Sequence, residues 1–565
     1  MQNPDMQFKS FQVSTSFSSL TGEVSNRLLL LIKQNRQPIV FFALFVLLSA
    51  IFHFCKSYVF ALKSYLSIYV VFSITLILSI VGRRIFYRET PEIFSTPLRT
   101  VTLIFAILAL VNSIGISSPY SGLTELDIIL YYTMRGLTFL AGILALFRPS
   151  FVLMVFIGYT CLDSFATLFY EVTRPATDWA SIWEYATFSC MALFGVIGYN
   201  RALTAWASRR DGKWKRYAID SFSFLEFIAF MMVAVHFSNY FYSFWQKIVL
   251  NGGALSWVLE NPTYLNFVTS DLRGRWPFND FGVFKEPVYE LFRLTNIPGN
   301  LFVFAAQAIV LLAFFRTKFI VWLSVVYDAM HLLIFLAAGI LFYKWVALNL
   351  AIAYTFKRFD SRRTIPLATK ILATLTILIA PLFFTVFKLG WYGTNGFHNI
   401  KIEAINKSGQ MAEVPPSFWM AHSYVISTGD YAFDMGPSYP YRGGGTLDYK
   451  LAKPSWNCSL KPIPPDEKLN RYAFKKAIIH SKANLEHMIR THHDFALENL
   501  SSKGQYNSLH IDHVWYSPSY FRAFNTLDLK QVVAYKVTSY TACVTKEEYP
   551  YQVDYKKQGQ LLVEL

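Results

Sequence analysis

Long apolar runs fill the first two thirds of the chain and constrain its fold more than any other feature. Hydrophobic residues make up 54% of the 565 residues and charged residues only 16%, below the roughly one quarter that is usual in soluble domains. An apolar stretch of about 20 residues crosses a bilayer as a helix. We therefore predict about eleven spanning helices, over residues 38–55, 65–82, 100–117, 126–147, 150–170, 183–204, 222–246, 299–315, 319–342, 344–357 and 367–390.

The loops between these runs differ in charge and predict an orientation. The basic loops GRRIFYRETPEIFSTPLR, ASRRDGKWKRY, FRTK and KRFDSRR alternate with EVTRPATDWASIWE and with the long segment 247–298. Lys and Arg concentrate on cytoplasmic loops, so an odd number of passes places the N-terminus inside and the C-terminus outside. The same bias accounts for the net charge of +16, and we predict no nucleic-acid partner. The membrane would be the bacterial inner membrane, or the endoplasmic reticulum or plasma membrane in a eukaryote.

Three regions follow from this pattern. Residues 1–37 form a polar cytoplasmic segment, and residues 38–390 form the transmembrane domain with its long outer loop 247–298. Residues 391–565 regain Gly, Pro, Asp and Lys and are predicted to form an extracytoplasmic α+β domain. The stretches NIKIEAIN, FWMAHSYVIST, SLHIDHVWY and QVVAYKVTSYTACV have strand-like patterns, and a helical pattern lies between the second and third.

The cysteines divide according to the predicted sides of the membrane. Cys458 and Cys543 lie in the outer domain, where an oxidising compartment favours disulfides. We predict that they pair with each other, with a Cys55–Cys458 bridge as the alternative. The chain contains no CxxC or zinc-ligand spacing, and HIDH at 510–513 resembles a metal cluster only loosely, so no metal site is predicted.

A polar stripe runs along the predicted seventh span. At about 100° per residue, Asn239, Ser243 and Lys247 come within roughly 80° of His236 on one face of the helix. Lys247 at the outer end either extends its ammonium to the lipid headgroups or is held in an apolar pocket as a general base. His236 is a candidate catalytic residue, with a hydrogen-bonded core histidine as the alternative.

The predicted ninth span carries a second polar pair. Asp328 and His331 are three residues apart and share a helix face. The carboxylate could orient the imidazole for acid–base catalysis, both residues could bind a metal ion, or the two could satisfy each other inside the bundle.

The outer loop 247–298 is long enough to be a functional lid. It contains the aromatic and charged stretch RGRWPFNDFGVFKEP, which could bind a polar substrate or fix the loop through internal pairs. The candidate substrate-binding residues in this loop and on the polar stripe are Asn239, Trp257, Arg275, Trp276 and Asn279.

Two stretches resemble a known family. HFSNYFYSFWQKIVLNGGALSWVLEN resembles the helix of vitamin K-dependent γ-carboxylases and their bacterial HTTM-domain relatives, in which a pass with small polar residues ends in a lysine. NLFVFAAQAIVLLAFFRTKFIVWLSVVYDAMHLLIFLAAGILFYKW resembles that family's paired passes with a basic turn and a polar, His-containing helix. The resemblance covers residues 180–356.

The resemblance implies that Lys247 is the base that deprotonates reduced vitamin K, so that a reduced quinone would be the cofactor and a peptide the substrate. The chain departs from the family because we find no match for its earlier catalytic histidine and no propeptide-binding pattern. The prediction is therefore a membrane enzyme that uses Lys247 on a quinone-like or lipidic molecule. The alternative is a non-catalytic, lipid-binding membrane subunit that binds a peptide or membrane-protein partner through its outer domain; a transporter is third.

Overall fold

The computed structural model describes residues 36–60, 64–85, 101–107, 124–148, 150–170, 180–207, 218–358, 365–429, 431, 433–434, 445–458, 482–506 and 514–565. The predicted cytoplasmic segment, apart from Arg36 and Gln37, and the HIDH stretch up to His513 lie outside the described residues.

The first part of the chain is helical. Its helices are α1 (Arg36–Phe60), α2 (Tyr65–Ile85), α3 (Glu125–Ala145), α4 (Ser150–Tyr170), α5 (Ala180–Ala207), α6 (Ser221–Val249), α7 (Gly253–Leu259), α8 (Leu265–Asp271), α9 (Lys285–Leu294), α10 (Asn296–Ala308), α11 (Thr317–Ala338), α12 (Tyr343–Arg358) and α13 (Leu367–Ile379). Local chemistry sets some of the ends. The Thr124 hydroxyl and the Asp127 carboxylate cap the start of α3 reciprocally, and α11 ends at Gly339 in the left-handed region.

Six helical stretches in the described part of the chain are long and apolar enough to cross a membrane. They are Gln37–Tyr58, Tyr65–Gly82, Glu125–Ala145, Ser223–Val249, Asn296–Phe315 and Thr317–Ala338, with shorter apolar helices at Ser150–Leu162 and Leu367–Leu382. Helices α5 and α12 occupy two of the other predicted spans, while 100–117 is described only over 101–107. The chain is therefore a multi-pass membrane protein of mainly helical structure.

Helix α6 is the central helix of the bundle. Within its apolar stretch, 94% of the residues are buried, compared with 22% to 33% in the other five spanning candidates. It packs against α1, α5, α7, α10 and α13, and its apolar side chains belong to the largest buried cluster of the protein. The polar stripe of α6 consequently faces protein and not lipid.

The outer loop is folded. After α6 it forms α7, α8, 3₁₀ turns at Pro277–Asp280 and Gly282–Phe284, and then α9. Leu265, Phe267, Val268, Trp276 and Tyr289 form a small core that also includes Val544 from the C-terminal region. The loop is thus packed between the helical bundle and the C-terminal region.

The C-terminal region contains an antiparallel sheet of four strands in the order β3-β2-β5-β6. The strands are β2 (Gly396–Asn406), β3 (Met411–Glu413), β5 (Val532–Lys546) and β6 (Gln552–Glu564). A two-stranded sheet joins β1 (Tyr392–Gly393) to β4 (Gly445–Thr446). The remaining elements of this region are the helices α14 (Ser423–Thr428), α15 (Tyr449–Ser455), α16 (Lys482–Glu498) and α17 (Arg522–Asn525) and the 3₁₀ turns Pro416–His422 and Leu529–Gln531.

The predictions for this region have mixed outcomes. NIKIEAIN and QVVAYKVTSYTACV lie in β2 and β5, and α16 lies in the predicted helical stretch. The strand prediction for FWMAHSYVIST was wrong, because residues 416–428 form a 3₁₀ turn followed by α14. SLHIDHVWY lies outside the described residues up to 513, and beyond it Val514 makes an isolated bridge with Ile340.

The predicted disulfide is confirmed. Cys458, which follows α15, bonds Cys543 on β5 across a sequence separation of 85 residues, with a Cα–Cα distance of 6.0 Å. The alternative pairing of Cys55 with Cys458 is wrong, because Cys55 is a free thiol.

Candidate functional site

Side chains of the polar stripe on α6 accept hydrogen bonds from a non-helical segment of backbone. After the 3₁₀ turn at Ala380–Leu382 the chain leaves the bundle without regular secondary structure, and we call residues 383–391 the exit segment. The Phe387 N–H donates to Asn239 Oδ1 at 2.9 Å, and the Leu389 N–H donates to Ser243 Oγ at 3.0 Å. Backbone groups outside helices need such partners at membrane depth.

Lys247 contacts the same segment and is enclosed. Its side chain is 2% exposed. The Nζ atom donates to the Leu389 carbonyl at 2.7 Å, to Gln307 Oε1 at 2.8 Å and to the Ser243 carbonyl at 3.0 Å. It also lies 4.6 Å from the centroid of the Trp257 ring. All these partners are neutral, and no described carboxylate pairs with the ammonium, so hydrogen bonds alone offset the cost of removing its charge from water.

A buried ion pair holds the other end of the exit segment. Lys56 on α1 contacts Glu184 on α5 at 2.7 Å. Both carboxylate oxygens of Glu184 accept from the Thr385 N–H, at 2.8 and 2.9 Å. Trp257 also binds the exit segment, since its Nε1–H donates to the Trp391 carbonyl at 3.0 Å.

His236 belongs to a second polar group. Its Nε2 atom lies 2.8 Å from Asn349 Oδ1. The Nδ2 group of Asn349 donates to Asp328 Oδ1 at 2.9 Å and to the Tyr240 hydroxyl at 3.1 Å. Helices α6, α11 and α12 are thus joined through one amide, that of Asn349.

His331 lies next to this group but does not form a hydrogen bond with Asp328. Its Nδ1 atom is 4.0 Å from Asp328 Oδ1, too far for a hydrogen bond. In the described part of the chain, His331 Nδ1 and Asp328 Oδ2 are both buried and have no hydrogen-bond partner. The imidazole stacks on Phe342, with ring centroids 4.9 Å apart. The predicted sharing of a face by the two residues is observed, but a direct hydrogen bond between them is not.

The polar group around Lys247 and the polar group around His236 both lie along α6, but they have different partners. Lys247 and His236 are separated by eleven residues of α6, which is about 16 Å along a helix. Gln307 accepts from Lys247 and its Nε2 group lies 3.9 Å from Met330 Sδ, next to His331 in sequence. Lys247, Asn239 and Trp257 therefore gather at the exit segment, whereas His236, Asp328 and His331 gather around Asn349.

The other predicted substrate-binding residues border the C-terminal region. The Arg275 guanidinium donates to the Ser427 carbonyl, and the Trp276 Nε1–H donates to the Leu336 carbonyl at 2.7 Å. The Asn279 carbonyl accepts from Ser519 Oγ at 3.4 Å. These three residues join the outer loop to α11 and to the C-terminal region.

Charges at this junction are buried to different degrees. Burial raises the pKa of Asp271, although Lys285 lies 2.6 Å away. Burial and the neighbouring Arg275 lower the pKa of Arg273 to about 9. Burial would raise the pKa of Asp280, but hydrogen bonds from Ser519 and Ser517 outweigh it and hold that pKa below its usual value.

Sequence reasoning did not select Asn349, Tyr240, Gln307 or Glu184 as site residues. Three of the four are polar groups in membrane-length or nearly membrane-length helices, which is the signal that could have found them. Asn349 was overlooked because it lies in the short apolar run 344–357. Tyr240 carries no such signal, since tyrosine is common in apolar helices.

Comparison of the chain with protein-family models, with curated proteins and with solved structures gives no match.

Proposed function

We propose that the chain is a membrane-embedded enzyme of HTTM/γ-carboxylase-like build, in which Lys247 acts as a base toward a lipid-soluble hydroxyl compound. The observation that supports this is the setting of Lys247, which is enclosed beside Trp257 with neutral hydrogen-bond acceptors and, among the described residues, no carboxylate partner. An amine enclosed in this way is not held in a salt bridge, and in its neutral form it can accept a proton at Nζ.

The residues around Nζ fit a reduced quinone as the partner molecule. The Trp257 ring provides an aromatic surface, and Gln307 holds Nζ through its Oε1 atom. A bound reduced quinone would supply a weakly acidic hydroxyl and oxygen-dependent chemistry. Lys247 would take up the proton, Gln307 would orient Nζ, and the packed helices around α6 would exclude water.

The same proposal includes the orientation. With about eleven spans, the basic loops place the N-terminus in the cytoplasm and residues 391–565 outside. The Cys458–Cys543 bridge supports an oxidising location for the C-terminal region. In this orientation Lys247 lies near the outer end of its span, below the outer loop, where a peptide substrate could reach it.

Activity of Lys247 variants tests the enzyme proposal. We expect Lys247→Met and Lys247→Arg to lower quinol-dependent incorporation of labelled bicarbonate into membrane polypeptides, or oxygen-dependent consumption of a short-chain reduced naphthoquinone, by at least about a hundredfold. Ser243→Ala is the matched control, because Ser243 also binds the exit segment but has no basic nitrogen. Equal losses in Ser243→Ala and Lys247→Met would mean that Lys247 only braces the segment.

The second candidate is a non-catalytic membrane subunit. It is favoured by the hydrogen bonds of Lys247, which account for three donors with structural partners, and by the outer domain fixed on the outer loop. It predicts a partner polypeptide that co-purifies with the full-length protein from its native membrane. Capture of that partner would be unchanged in Lys247→Met, whereas the enzyme proposal requires lost turnover in the same variant.

A further inference from the structure

We propose that Asp328 and His331 form a second ligand site, separate from Lys247, that binds the hydroxyl group of an amphiphile entering from the bilayer. Each of the two side chains has one polar atom that forms no hydrogen bond with the described residues. Asp328 Oδ2 and His331 Nδ1 are buried and lack hydrogen-bond partners in the described part of the chain. A buried polar atom without a hydrogen bond destabilises the fold, and more so in hydrocarbon.

One oxygen of the Asp328 carboxylate accepts a hydrogen bond from the protein, and the other is available to a ligand. Asn349 Nδ2 donates to Asp328 Oδ1 at 2.9 Å, and Asn349 is in turn held by His236. The Asp328 side chain therefore cannot rotate toward His331 without breaking this contact. On the other side, stacking on Phe342 fixes the plane of the His331 ring.

The chemistry of the two atoms selects the ligand group. A hydroxyl can donate to Asp328 Oδ2 and accept from His331 Nδ1–H at the same time. A carboxylate or phosphate would be repelled by Asp328, and an ammonium could not accept from the imidazole. A metal ion would need more ligands, and the described residues contain no group of three His, Cys, Asp or Glu that could hold one.

The site borders the lipid-facing side of α11. Trp322, Val325 and Leu332 are exposed on that side, at 67%, 45% and 57%. The Asp328 side chain lies at the edge of this face and is 13% exposed, whereas that of His331 is 5% exposed. Ala329, the next residue, is also exposed. A molecule dissolved in the bilayer could thus present its hydroxyl at Asp328 with its apolar part along α11.

The ring systems around His331 suit an aromatic or polycyclic alcohol. Phe342, Trp345 and Tyr240 have ring centroids 4.9, 5.9 and 6.0 Å from that of His331. The ligand class is therefore a neutral, membrane-soluble phenol or alcohol with a flat apolar body. The proposal does not rest on catalysis by Lys247.

Binding of 4-decyl-1-naphthol and of its methyl ether to the full-length protein in nanodiscs tests the site. Quenching of tryptophan fluorescence is the readout. Nanodiscs that lack the protein but contain a tryptophan-bearing peptide measure the quenching that results from partition of the compound into lipid. We expect saturable quenching by the naphthol and at least about tenfold weaker binding of the ether, since the ether lacks the donor. Equal binding of the two compounds, or linear quenching without saturation, overturns the proposal.

Variants separate the site from the rest of the bundle. We expect His331→Phe, which keeps a ring to stack on Phe342, and Asp328→Asn each to weaken naphthol binding about tenfold or more. Ser324→Ala on the same helix is the folding control, because the Ser324 hydroxyl donates to the Ile320 carbonyl of its own helix at 2.9 Å. The same loss should appear when His331→Phe is made in a Lys247→Met background, where naphthol binding beside Lys247 no longer contributes. Unchanged affinity in His331→Phe contradicts the site, even if Asp328→Asn fails to fold.

Discussion

The backbone N–H of Phe387 donates to the side-chain oxygen of Asn239 at 2.9 Å, so that a residue in the middle of the central helix holds the chain where it leaves the bundle. The Nδ2 group of Asn239 is also occupied, by the His236 carbonyl at 2.8 Å. The polar stripe of α6 therefore binds the backbone of the exit segment, in addition to any chemistry that Lys247 performs.

Replacement of Asn239 by leucine should destabilise the protein. The change keeps the side-chain volume but leaves the Phe387 N–H without its acceptor, which costs about 1–3 kcal/mol. Thermal unfolding in detergent measures the effect. Ser238→Ala is the matched control, because Ser238 is equally buried and its hydroxyl donates to the Val235 carbonyl of its own helix. A similar loss in both variants would show that the bond to the exit segment is not what matters.

Gly339 tests the junction between α11 and the outer loop. It adopts φ +65°, and a Cβ atom placed on it would lie 2.2 Å from the Arg275 carbonyl oxygen. Gly339→Ala should therefore lower the melting temperature through left-handed strain of about 1–2 kcal/mol together with this clash. Gly299→Ala, whose Cβ would meet nothing within 4 Å, should be neutral or stabilising. An unchanged melting temperature in Gly339→Ala would contradict the packing of this junction.

The disulfide should contribute to the stability of the C-terminal region. It closes a long loop, with 85 residues of separation, and such bridges stabilise proteins by about 2–5 kcal/mol. We expect dithiothreitol to lower the melting temperature of the unmodified protein in detergent but not that of the Cys458→Ser, Cys543→Ser double variant. A disulfide-linked peptide pair in mass spectrometry of the native membrane fraction provides the independent check. Free thiols at both positions would argue against an oxidising location.

Sequence patterns predicted the helical bundle because apolar length is a local property. They also predicted β2 and β5, whose alternating side chains pack on one face. The stretch 418–428 misled because its aromatic and β-branched residues suggest a strand. Packing of Phe418, Trp419 and Ile426 into the core of the C-terminal region outweighs that local preference here. Strand β6, with the polar stretch DYKKQGQ, lacked an apolar pattern because it lies at an edge of the sheet.

For the candidate site, the sequence placed polar residues on helix faces but not their partners. The stripe from His236 to Lys247 and the pairing of Asp328 with His331 on one face follow from helical spacing alone. The exit segment could not be foreseen as the partner of the stripe, because the bonds link positions about 140 residues apart, such as Ser243 and Leu389. Asn349 likewise acquires its role only when α12 packs beside α6 and α11.

His492 should make the C-terminal region sensitive to acid. The ring is buried on α16 against Phe418 and Trp419, and burial lowers the pKa of His492 to about 3. The unfolded chain takes up a proton on this residue near pH 6.5, whereas the folded chain does not. Stability is therefore complete above about pH 6.5 and is lost as the pH falls toward 3, by about 2 kcal/mol at pH 5 from this group.

Replacement of His492 by phenylalanine isolates this contribution. The variant keeps an aromatic ring in the cluster and has no proton to bind, so its stability should depend less on pH between 6.5 and 4.5. Hydrogen exchange of peptides covering Lys482–Glu498, corrected for intrinsic rates, measures this in the full-length protein. His487→Phe on the same helix is the control, since His487 lies outside the buried face of α16. If His492→Phe kept the full acid sensitivity of the unmodified protein, another group, such as the neighbouring His493, would have to carry the effect.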